Sequence, residues 1–533
     1  MSTLGLPATG PARNEQLEVP VRTKSWSTTR FTVGTGPTSL VLSLILGMCS
    51  CGGGGTPTQP QSQPSVSISP TSSIVAAAGQ QQFTANTAVS WQVNGVIGGN
   101  TGVGVISSSG LYTAPGVAVN VTVEAVSQAD NSKSASAGLV VLTPHRIGVR
   151  SSSSGFAEFY DRSTGNTVMP RGNNYVRLGS QIDTSGNPTV YHSTFNVGLY
   201  DANRAESALA GMQTNGDNAV RVFLNGCCQN SIGNSAGGLS SAYIANLVDF
   251  LQRARAHSIY VIFTTDWVPS YGGYSDHYAN CTQFSNYNTL NLCAGGVDAN
   301  TSFFHDLVAA LILQSAALDA VLAYELRNEY FYDSDQAPLN ETSGMVTTAN
   351  GTSYDMSSAS SKQQMMDDGL AYFTDQVRAT IVSLDPTALV TVGFFWPQAP
   401  NPSRIGDPRL ITVYPAIANS TADFVDIHGY SIPGDLTVTQ LVQNYGFTGY
   451  QAQKPVVMGE FGAFKSSYPL IADAAAALQS WQINTCPYEV KGWLLWTWDT
   501  EEPEQVPPLW AAQSGDSSVN TGLAPIFRSD PCQ

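Results

Sequence analysis

Two glutamates stand where a pair of carboxylates could act on a single bond. Glu329 ends the segment 323–329 and Glu460 lies within the segment 454–462, and each follows a short apolar run. Such a pair suits the cleavage of a glycosidic bond, because one group can protonate the leaving oxygen while the other attacks the anomeric carbon or activates water. Most glutamates are solvated surface groups, so the elements that position these two decide whether they can act together.

Both glutamates belong to a repeating pattern of short apolar strands and longer amphipathic helices that runs from residue 145 to residue 533. Eight candidate strands lie at residues 168–175, 219–223, 260–264, 322–326, 389–393, 424–428, 455–459 and 492–496. Apolar residues at spacings of three and four predict helices at 241–256, 301–317, 362–384 and 472–482. This alternation predicts parallel βα units that close into a (β/α)8 TIM barrel, preceded by a hairpin near residues 158–169.

Polar residues at the ends of these apolar runs are the candidate site residues, because the catalytic groups of such barrels lie at the C-terminal ends of the strands. In chain order they are Arg221, Trp267, Asn328, Glu329, His428, Tyr430, Glu460 and Trp496.

Six motifs in this order make residues 145–533 similar to the clan A retaining glycoside hydrolases, most closely to glycoside hydrolase family 5, the cellulase-type family. They are Arg-Gly-Asn-Asn-Tyr at 171–175, Val-Arg-Val at 220–222, Glu-Leu-Arg-Asn-Glu at 325–329, His-Gly-Tyr at 428–430, Gly-Glu-Phe-Gly at 459–462 and Trp-Leu-Leu-Trp-Thr-Trp at 493–498. The resemblance implies that Glu329 is the general acid/base, that Glu460 is the nucleophile, and that the substrate is a β-linked polysaccharide or oligosaccharide. It implies no cofactor.

The same resemblance implies roles for the neighbouring residues. Asn328 would bind the sugar 2-hydroxyl, and His428 would contact the substrate or the acid/base. Arg221 and Tyr430 would orient the nucleophile and keep it ionised, since a bound guanidinium lowers the pKa of a carboxyl group. Trp496 would form the platform under the sugar, the alternative being a tryptophan of the core.

Two departures from the family pattern leave the substrate open. Tyr330 follows the Asn-Glu pair where many members have proline, and Thr265-Asp-Trp267 ends the third strand where many relatives have histidine. Trp267 is a candidate for the negative subsites, the alternative being packing within its loop. We expect an endo-β-1,4-glucanase first, with an endo-β-1,4-mannanase or an exo-β-glycosidase of the same fold as alternatives. A noncatalytic carbohydrate-binding surface protein is the alternative from another class.

The acid/base Glu329 must stay protonated near neutral pH, which an apolar surround favours. Tyr330 and Trp396 are the candidates for that surround.

Composition narrows the classes of partner and cofactor. The chain carries 23 Lys and Arg against 39 Asp and Glu, a net charge of −16, which disfavours nucleic acid and anionic membrane surfaces. Only six histidines are present, without the close His or Cys spacings of metal sites, so no metal is expected. A monomer that binds a neutral polysaccharide fits this composition.

The N-terminal part predicts export. Residues 1–51 contain basic residues and a short apolar run at 40–48, a pattern typical of an export signal, with Cys49 or Cys51 as a candidate lipid anchor. Residues 52–65 form a Gly/Pro/Gln-rich linker. Residues 66–143 resemble bacterial Ig-like β-sandwich modules, with Trp91 and Phe83 in the core; a spacer is favoured over a sugar-binding module. The chain would then act outside the cell or on its outer surface.

Six cysteines fall in the loops of residues 145–533, which favours disulfides in an oxidising compartment. We predict the pairs Cys281–Cys293 and Cys486–Cys532, which leave Cys227 and Cys228 to bond each other or to stay free.

Overall fold

The structure is a computed structural model that describes residues 65–285, 287–394, 409–410, 419–434, 437–445, 453–499 and 509–532. The predicted export signal, nearly all of the linker and Trp396 lie outside these ranges, so the interpretations that rest on them stay predictions. Within the described ranges, no helix combines the length and the apolar character that a membrane span requires.

The first described region, residues 68–142, is all-β. One sheet contains, in spatial order, Ser72–Ala76, Ser134–Leu142, Val119–Ser127, Val89–Val93 and Val96–Ile97; a second contains Gln80–Gln82, Leu111–Thr113, Gly104–Ile106 and Gly99–Asn100; and a third pairs Ile68–Ser69 with Thr84–Ala85. Phe83, Trp91 and Tyr112 are buried in one apolar core. The tryptophan and phenylalanine therefore pack inside, as predicted, and the likeness to Ig-like modules stays a prediction.

The second region is a (β/α)8 barrel, which confirms the predicted fold class. Its parallel strands are Arg171–Asn174, Ala219–Leu224, Tyr260–Thr265, Val321–Glu325, Val390–Thr391 with Gly393–Phe394, Val425–Ser431, Val456–Ala463 and Val490–Leu495. The two pieces of the fifth strand close the ring, because the first piece pairs with the fourth strand and the second with the sixth. The first strand pairs with both the second and the eighth.

The barrel is closed at the N-terminal end of its strands by a three-stranded sheet. This sheet consists of Ile147–Ser151, Ala157–Asp161 and Thr167–Val168, and it contains the predicted hairpin. The ring of Phe159 lies 5.3 Å from that of Phe424, and both are fully buried. With one end filled by apolar side chains, the other end is left for the polar residues of the site.

Helices surround the barrel strands. They are Ala202–Thr214, Ser241–Ala256, Tyr287–Leu290, Ala294–Leu313, Ala359–Leu384, Val438–Tyr445, Ile471–Thr485 and Ser518–Leu523, with 3-10 turns at Tyr274–Asn280, Leu318–Ala320 and Cys486–Tyr488. Ser241–Ala256 matches its predicted bounds and is capped by Ser240, whose hydroxyl accepts from the Tyr243 N–H. Ala294–Leu313 begins seven residues before its predicted start, because two glycines in its first turn weaken the helical signal.

Among the described residues, three antiparallel strand pairs of the barrel region lie outside both the barrel strands and the three-stranded sheet, and they were not predicted. Two of them are hairpins, which pair Leu178–Ile182 with Pro188–His192 and Met345–Thr347 with Ser353–Asp355, and the third pairs Tyr332–Asp333 with the distant Arg409–Leu410. The first of them follows the first barrel strand and reaches the site described below.

Three disulfides link the six cysteines of the barrel region. They join Cys281 to Cys293, Cys486 to Cys532, and the neighbours Cys227 and Cys228. The two predicted pairs are confirmed, and the vicinal cysteines bond each other.

Loss of the Cys486–Cys532 bond should destabilise the fold more than loss of Cys281–Cys293. The first bond spans 46 residues and the second 12, and a longer loop restricts the unfolded chain more. We expect the double serine variants to lose about 4 and about 3 kcal/mol of unfolding free energy, respectively. Denaturant titration under non-reducing conditions measures both losses, and the reverse order would contradict this explanation.

Candidate active site

The centre of the site is the guanidinium of Arg221, which points into the barrel from the second strand and is fully buried. Nε and Nη2 donate to the two carboxylate oxygens of Glu325 at 2.7 and 2.8 Å. Nη1 donates to Glu460 Oε1 at 2.7 Å and to Asn174 Oδ1 at 3.0 Å, while Nη2 also donates to Asn328 Oδ1 at 2.7 Å. One side chain thereby fixes groups from the first, fourth and seventh strands.

Glu460 lies on the seventh strand with its carboxylate almost fully enclosed. Besides the bond from Arg221, its Oε2 accepts a 2.6 Å hydrogen bond from the Tyr430 hydroxyl. Burial raises the pKa of Glu460, while the positive charges of His428 and Arg221 and the hydrogen bond from Tyr430 oppose that rise. Arg221 lowers the pKa of Glu460, as expected, but desolvation of the carboxyl group and the negative charge of Glu329 make the net direction upward.

Glu329 lies across the site, just beyond the end of the fourth strand. Its side chain is 30% exposed, against 4% for Glu460. The backbone of Glu329 adopts φ = 39°, a left-handed conformation that is unusual for a residue other than glycine. The flanking residues fix this turn, since the backbone N–H of Asn328 donates to the Thr265 carbonyl and that of Tyr330 donates to the Gly393 carbonyl. The more exposed carboxyl group is thus held at the open end of the barrel.

The two glutamates and His428 form one cluster. His428 Nδ1 lies 3.2 Å from Glu329 Oε1 and 3.5 Å from Glu460 Oε2. One carboxylate oxygen of each glutamate and a ring nitrogen of the histidine all lie within 4.8 Å of one another. The structure therefore brings the two predicted glutamates together around one imidazole.

The two predicted tryptophans follow the ends of the third and eighth strands. Trp496 follows the eighth strand, is partly exposed, and meets the Phe223 ring edge-on at 5.7 Å. Trp267, which follows the third strand, is also partly exposed, with its ring 5.3 Å from that of Tyr191. Their predicted contacts with a sugar stay predictions.

Tyr330 does not provide the surround predicted for Glu329. Its ring packs against Tyr332 and Phe373, and its hydroxyl donates to the Asn288 carbonyl at 3.0 Å. The Tyr330 side chain is buried outside the barrel strands, because this residue follows the turn at Glu329.

The family of the chain follows from its similarity to a known family. The family model described as "Cellulase (glycosyl hydrolase family 5)" matches residues 181–502, more than half of the chain. The chain belongs to glycosyl hydrolase family 5. It is accordingly a glycoside hydrolase, and the resemblance inferred from the six motifs is confirmed. Among curated proteins, no sequence matches the chain.

Solved structures similar to this family 5 hydrolase include three endo-β-1,4-mannanases or β-mannanases. The enzyme from Rhizomucor miehei is 16% identical with a TM-score of 0.48, and the match covers 72% of this chain and 99% of that one. The enzyme from the blue mussel Mytilus edulis is 15% identical with a TM-score of 0.44 and coverages of 73% and 99%. The enzyme from Thermotoga petrophila is 14% identical with a TM-score of 0.46 and coverages of 69% and 78%.

Sequence reasoning missed two buried acids beneath the active site of the family 5 hydrolase. Glu325 and Asp426 are both fully buried and lie on the fourth and sixth strands. Glycines make room for them: a Cβ at Gly393 would lie 2.3 Å from Glu325 Oε1, and one at Gly459 would lie 2.2 Å from Asp426 Oδ1. A charged residue inside an otherwise apolar strand was the available signal, since such a residue is rarely buried without a partner.

The carboxylate and imidazole groups that could bind a metal in the hydrolase are arranged for ion pairing. Among the described residues, two groups of three have possible metal-ligand atoms within 4.8 Å of one another: Glu325 with Asp426 and His428, and Glu329 with His428 and Glu460. The guanidinium of Arg221 already binds the carboxylate oxygens of Glu325 and Glu460, and its positive charge disfavours a cation between them. We therefore assign no metal to these groups.

His428 of the hydrolase is positively charged at neutral pH. Burial alone would lower the pKa of the imidazole, but the carboxyl groups of Glu460 and Glu329 outweigh burial and raise that pKa to about 9. The imidazolium can then donate its Nδ1–H to Glu329 Oε1 at 3.2 Å, which leaves Oε2 to carry the proton that a general acid needs.

This raised pKa predicts a pH-dependent stability. The histidine is charged more readily in the folded than in the unfolded chain, so its contribution is complete below about pH 6.5 and is lost as the pH rises through about 9. Between these pH values, we expect the unfolding free energy of wild type to fall by about 3 kcal/mol more than that of His428→Gln. Urea titrations at both pH values measure this difference. The exposed histidine variant His305→Gln is the control, and equal losses in wild type and His428→Gln would contradict the prediction.

Proposed function

We propose that the protein is a retaining β-glycosidase that cleaves β-linked polysaccharide by double displacement. The observation that carries this proposal is the short distance between the Glu329 and Glu460 carboxylates, whose nearest oxygens lie within 4.8 Å. Retaining enzymes hold their two carboxyl groups about 5–5.5 Å apart, whereas inverting enzymes need about 6.5–9.5 Å to admit a water molecule. The spacing supports direct attack by one carboxylate.

In the first step, Glu460 attacks the anomeric carbon and forms a glycosyl ester, while the bond to the leaving oxygen breaks. Glu329 gives its proton to that oxygen. Tyr430 and Arg221 each hold one oxygen of Glu460, which aligns the nucleophile before attack. The exposed fraction of Glu329 supports its assignment as the group that meets the leaving sugar and water.

In the second step, a water molecule attacks the same carbon from the side vacated by the leaving sugar. Glu329 takes the water proton, the ester bond breaks, and Glu460 leaves as a carboxylate. Two inversions give a product with the original β configuration.

The proposed substrate is a β-1,4-linked hexose polysaccharide, with glucan first and mannan second. A panel of cellulose, xyloglucan, glucomannan, mannan and laminarin, with products resolved by size, separates these choices and also separates internal from terminal cleavage. Proton NMR of the first-formed product should show the β-anomer. An α-anomer as the first product would contradict the proposed mechanism.

We further propose that the enzyme acts outside the cytoplasm. Support comes from the export-like segment 1–51 and from the six bonded cysteines, since disulfides persist in oxidising compartments. Cell fractionation and mass analysis of the mature N-terminus test this. An acylated Cys49 or Cys51 would establish a lipid anchor, and an uncleaved chain in the cytoplasm would contradict export.

A further inference from the structure

The hairpin formed by Leu178–Ile182 and Pro188–His192 places its last two residues at the open end of the barrel. The His192 ring lies 4.3 Å from that of Phe223 and 6.2 Å from that of Trp496. The Tyr191 ring lies 5.3 Å from that of Trp267. The hairpin therefore meets both tryptophans that are predicted to bind sugar.

Asp266 connects this hairpin to the residue beside the acid/base. Its Oδ2 accepts a hydrogen bond from the Tyr191 hydroxyl. Its Oδ1 accepts from Arg327 Nη1 at 3.3 Å and from Asn328 Nδ2 at 3.2 Å. The carboxylate is only 12% exposed, so these donors determine its orientation.

The contacts on the two ends of the Asn328 amide select one of its two orientations. Its Oδ1 accepts from Arg221 Nη2 at 2.7 Å, and its Nδ2 donates to Asp266 at 3.2 Å. A flipped amide would set its N–H groups against a guanidinium, which has donors only, and its oxygen against a carboxylate, which has acceptors only. The second hydrogen on Nδ2 is then available for a ligand hydroxyl.

We propose that Tyr191 and Asp266 are positioning residues that orient the Asn328 amide toward the 2-hydroxyl of the sugar at the cleavage point. The hairpin is on this basis part of the sugar-binding site. The inference rests on the proposed function, because it needs a hexopyranose bound between Glu329 and Glu460. Hydrogen bonds to the 2-hydroxyl strengthen in the transition state of such reactions, so misorienting the amide should lower kcat more than it raises KM.

The test compares two activated aryl β-disaccharides that differ only in the 2-hydroxyl of the sugar next to the aryl group. Both compounds carry the sugar configuration that the substrate panel selects, because the second sugar keeps its own 2-hydroxyl. Asp266→Ala should lose about 10- to 100-fold in kcat/KM on the hydroxylated substrate and less than about threefold on the 2-deoxy substrate. Equal losses on both substrates would overturn the inference.

Tyr191→Phe provides the same test with a smaller change to the fold. Its kcat/KM should fall about 3- to 10-fold on the hydroxylated substrate and should not change on the 2-deoxy substrate. The matched control is Tyr200→Phe, which removes another tyrosine hydroxyl bonded to an aspartate, Asp249, at 2.6 Å. If Asp266→Ala does not fold, the Tyr191→Phe comparison decides. An inactive wild type would instead overturn the proposed function, and a Tyr191→Phe loss shared by both substrates would overturn the positioning role alone.

Discussion

Replacing Glu460 with alanine should lower kcat on polysaccharide by on the order of 10^4-fold or more, because the variant has no group to form the glycosyl ester. Glu329→Ala should lower kcat by about 10²- to 10^4-fold on polysaccharide, and much less on a substrate whose leaving group needs no proton. Steady-state kinetics on both kinds of substrate measure these effects. Glu341→Ala, which removes an exposed glutamate, is the control and should keep wild-type activity.

Azide distinguishes the roles of the two glutamates. In Glu460→Ala, azide can occupy the space of the lost carboxylate and attack an activated substrate directly, which gives an α-glycosyl azide. In Glu329→Ala, the ester still forms and azide replaces water in the second step, which gives a β-glycosyl azide. The opposite assignment of products would show that the two roles are exchanged.

Arg221→Met should be the most destabilising single change in the site. It leaves the fully buried Glu325 and the nearly buried Glu460 without the guanidinium that both share, and breaking a buried ion pair in this way costs about 3–5 kcal/mol. Activity should also fall, because Glu460 loses one of the two groups that align it. Arg255→Met is the matched control: its side chain is 61% exposed and pairs with Asp319, so its loss should cost about 1 kcal/mol or less.

A double variant separates the contribution of Arg221 to the stability of the fold from its contribution to the reaction. Arg221→Met combined with Glu325→Leu removes both members of the buried pair and should recover part of the lost unfolding free energy. It should not recover kcat, since Glu460 still lacks its guanidinium. Denaturant titration and kinetics on the same preparations test both statements. A single Arg221→Met variant as stable as wild type would contradict the ion-pair explanation.

Much of the fold could be predicted because the barrel repeats one local pattern. Each strand is a short apolar run, and the polar residue that ends it stands out against that run, as Glu329 and Glu460 do. Arg221 stands out for the same reason within Val-Arg-Val. The eight strands and the convergence of the predicted side chains follow from the topology of a closed parallel barrel.

The rest depends on contacts between residues far apart in the sequence. Tyr191 lies 75 residues before Asp266, and nothing in the local pattern of the hairpin predicts that the two side chains meet. Asp426 is accommodated because Gly459 lacks a side chain on the neighbouring strand, which is also a long-range relation. The pKa of Glu460 could not be predicted from its partners alone, because the extent of its burial is a property of the whole barrel.

Trapping the glycosyl ester tests most directly whether Glu460 is the nucleophile of a retaining reaction. A 2-deoxy-2-fluoro-β-glycosyl fluoride of the preferred sugar slows both steps but keeps a good leaving group, so the ester should accumulate. Mass spectrometry of the intact protein should show one added fluorosugar, and peptide mapping should place it on Glu460. A label on any other residue, or an unlabelled enzyme that releases the α-anomer first, would contradict the double-displacement mechanism.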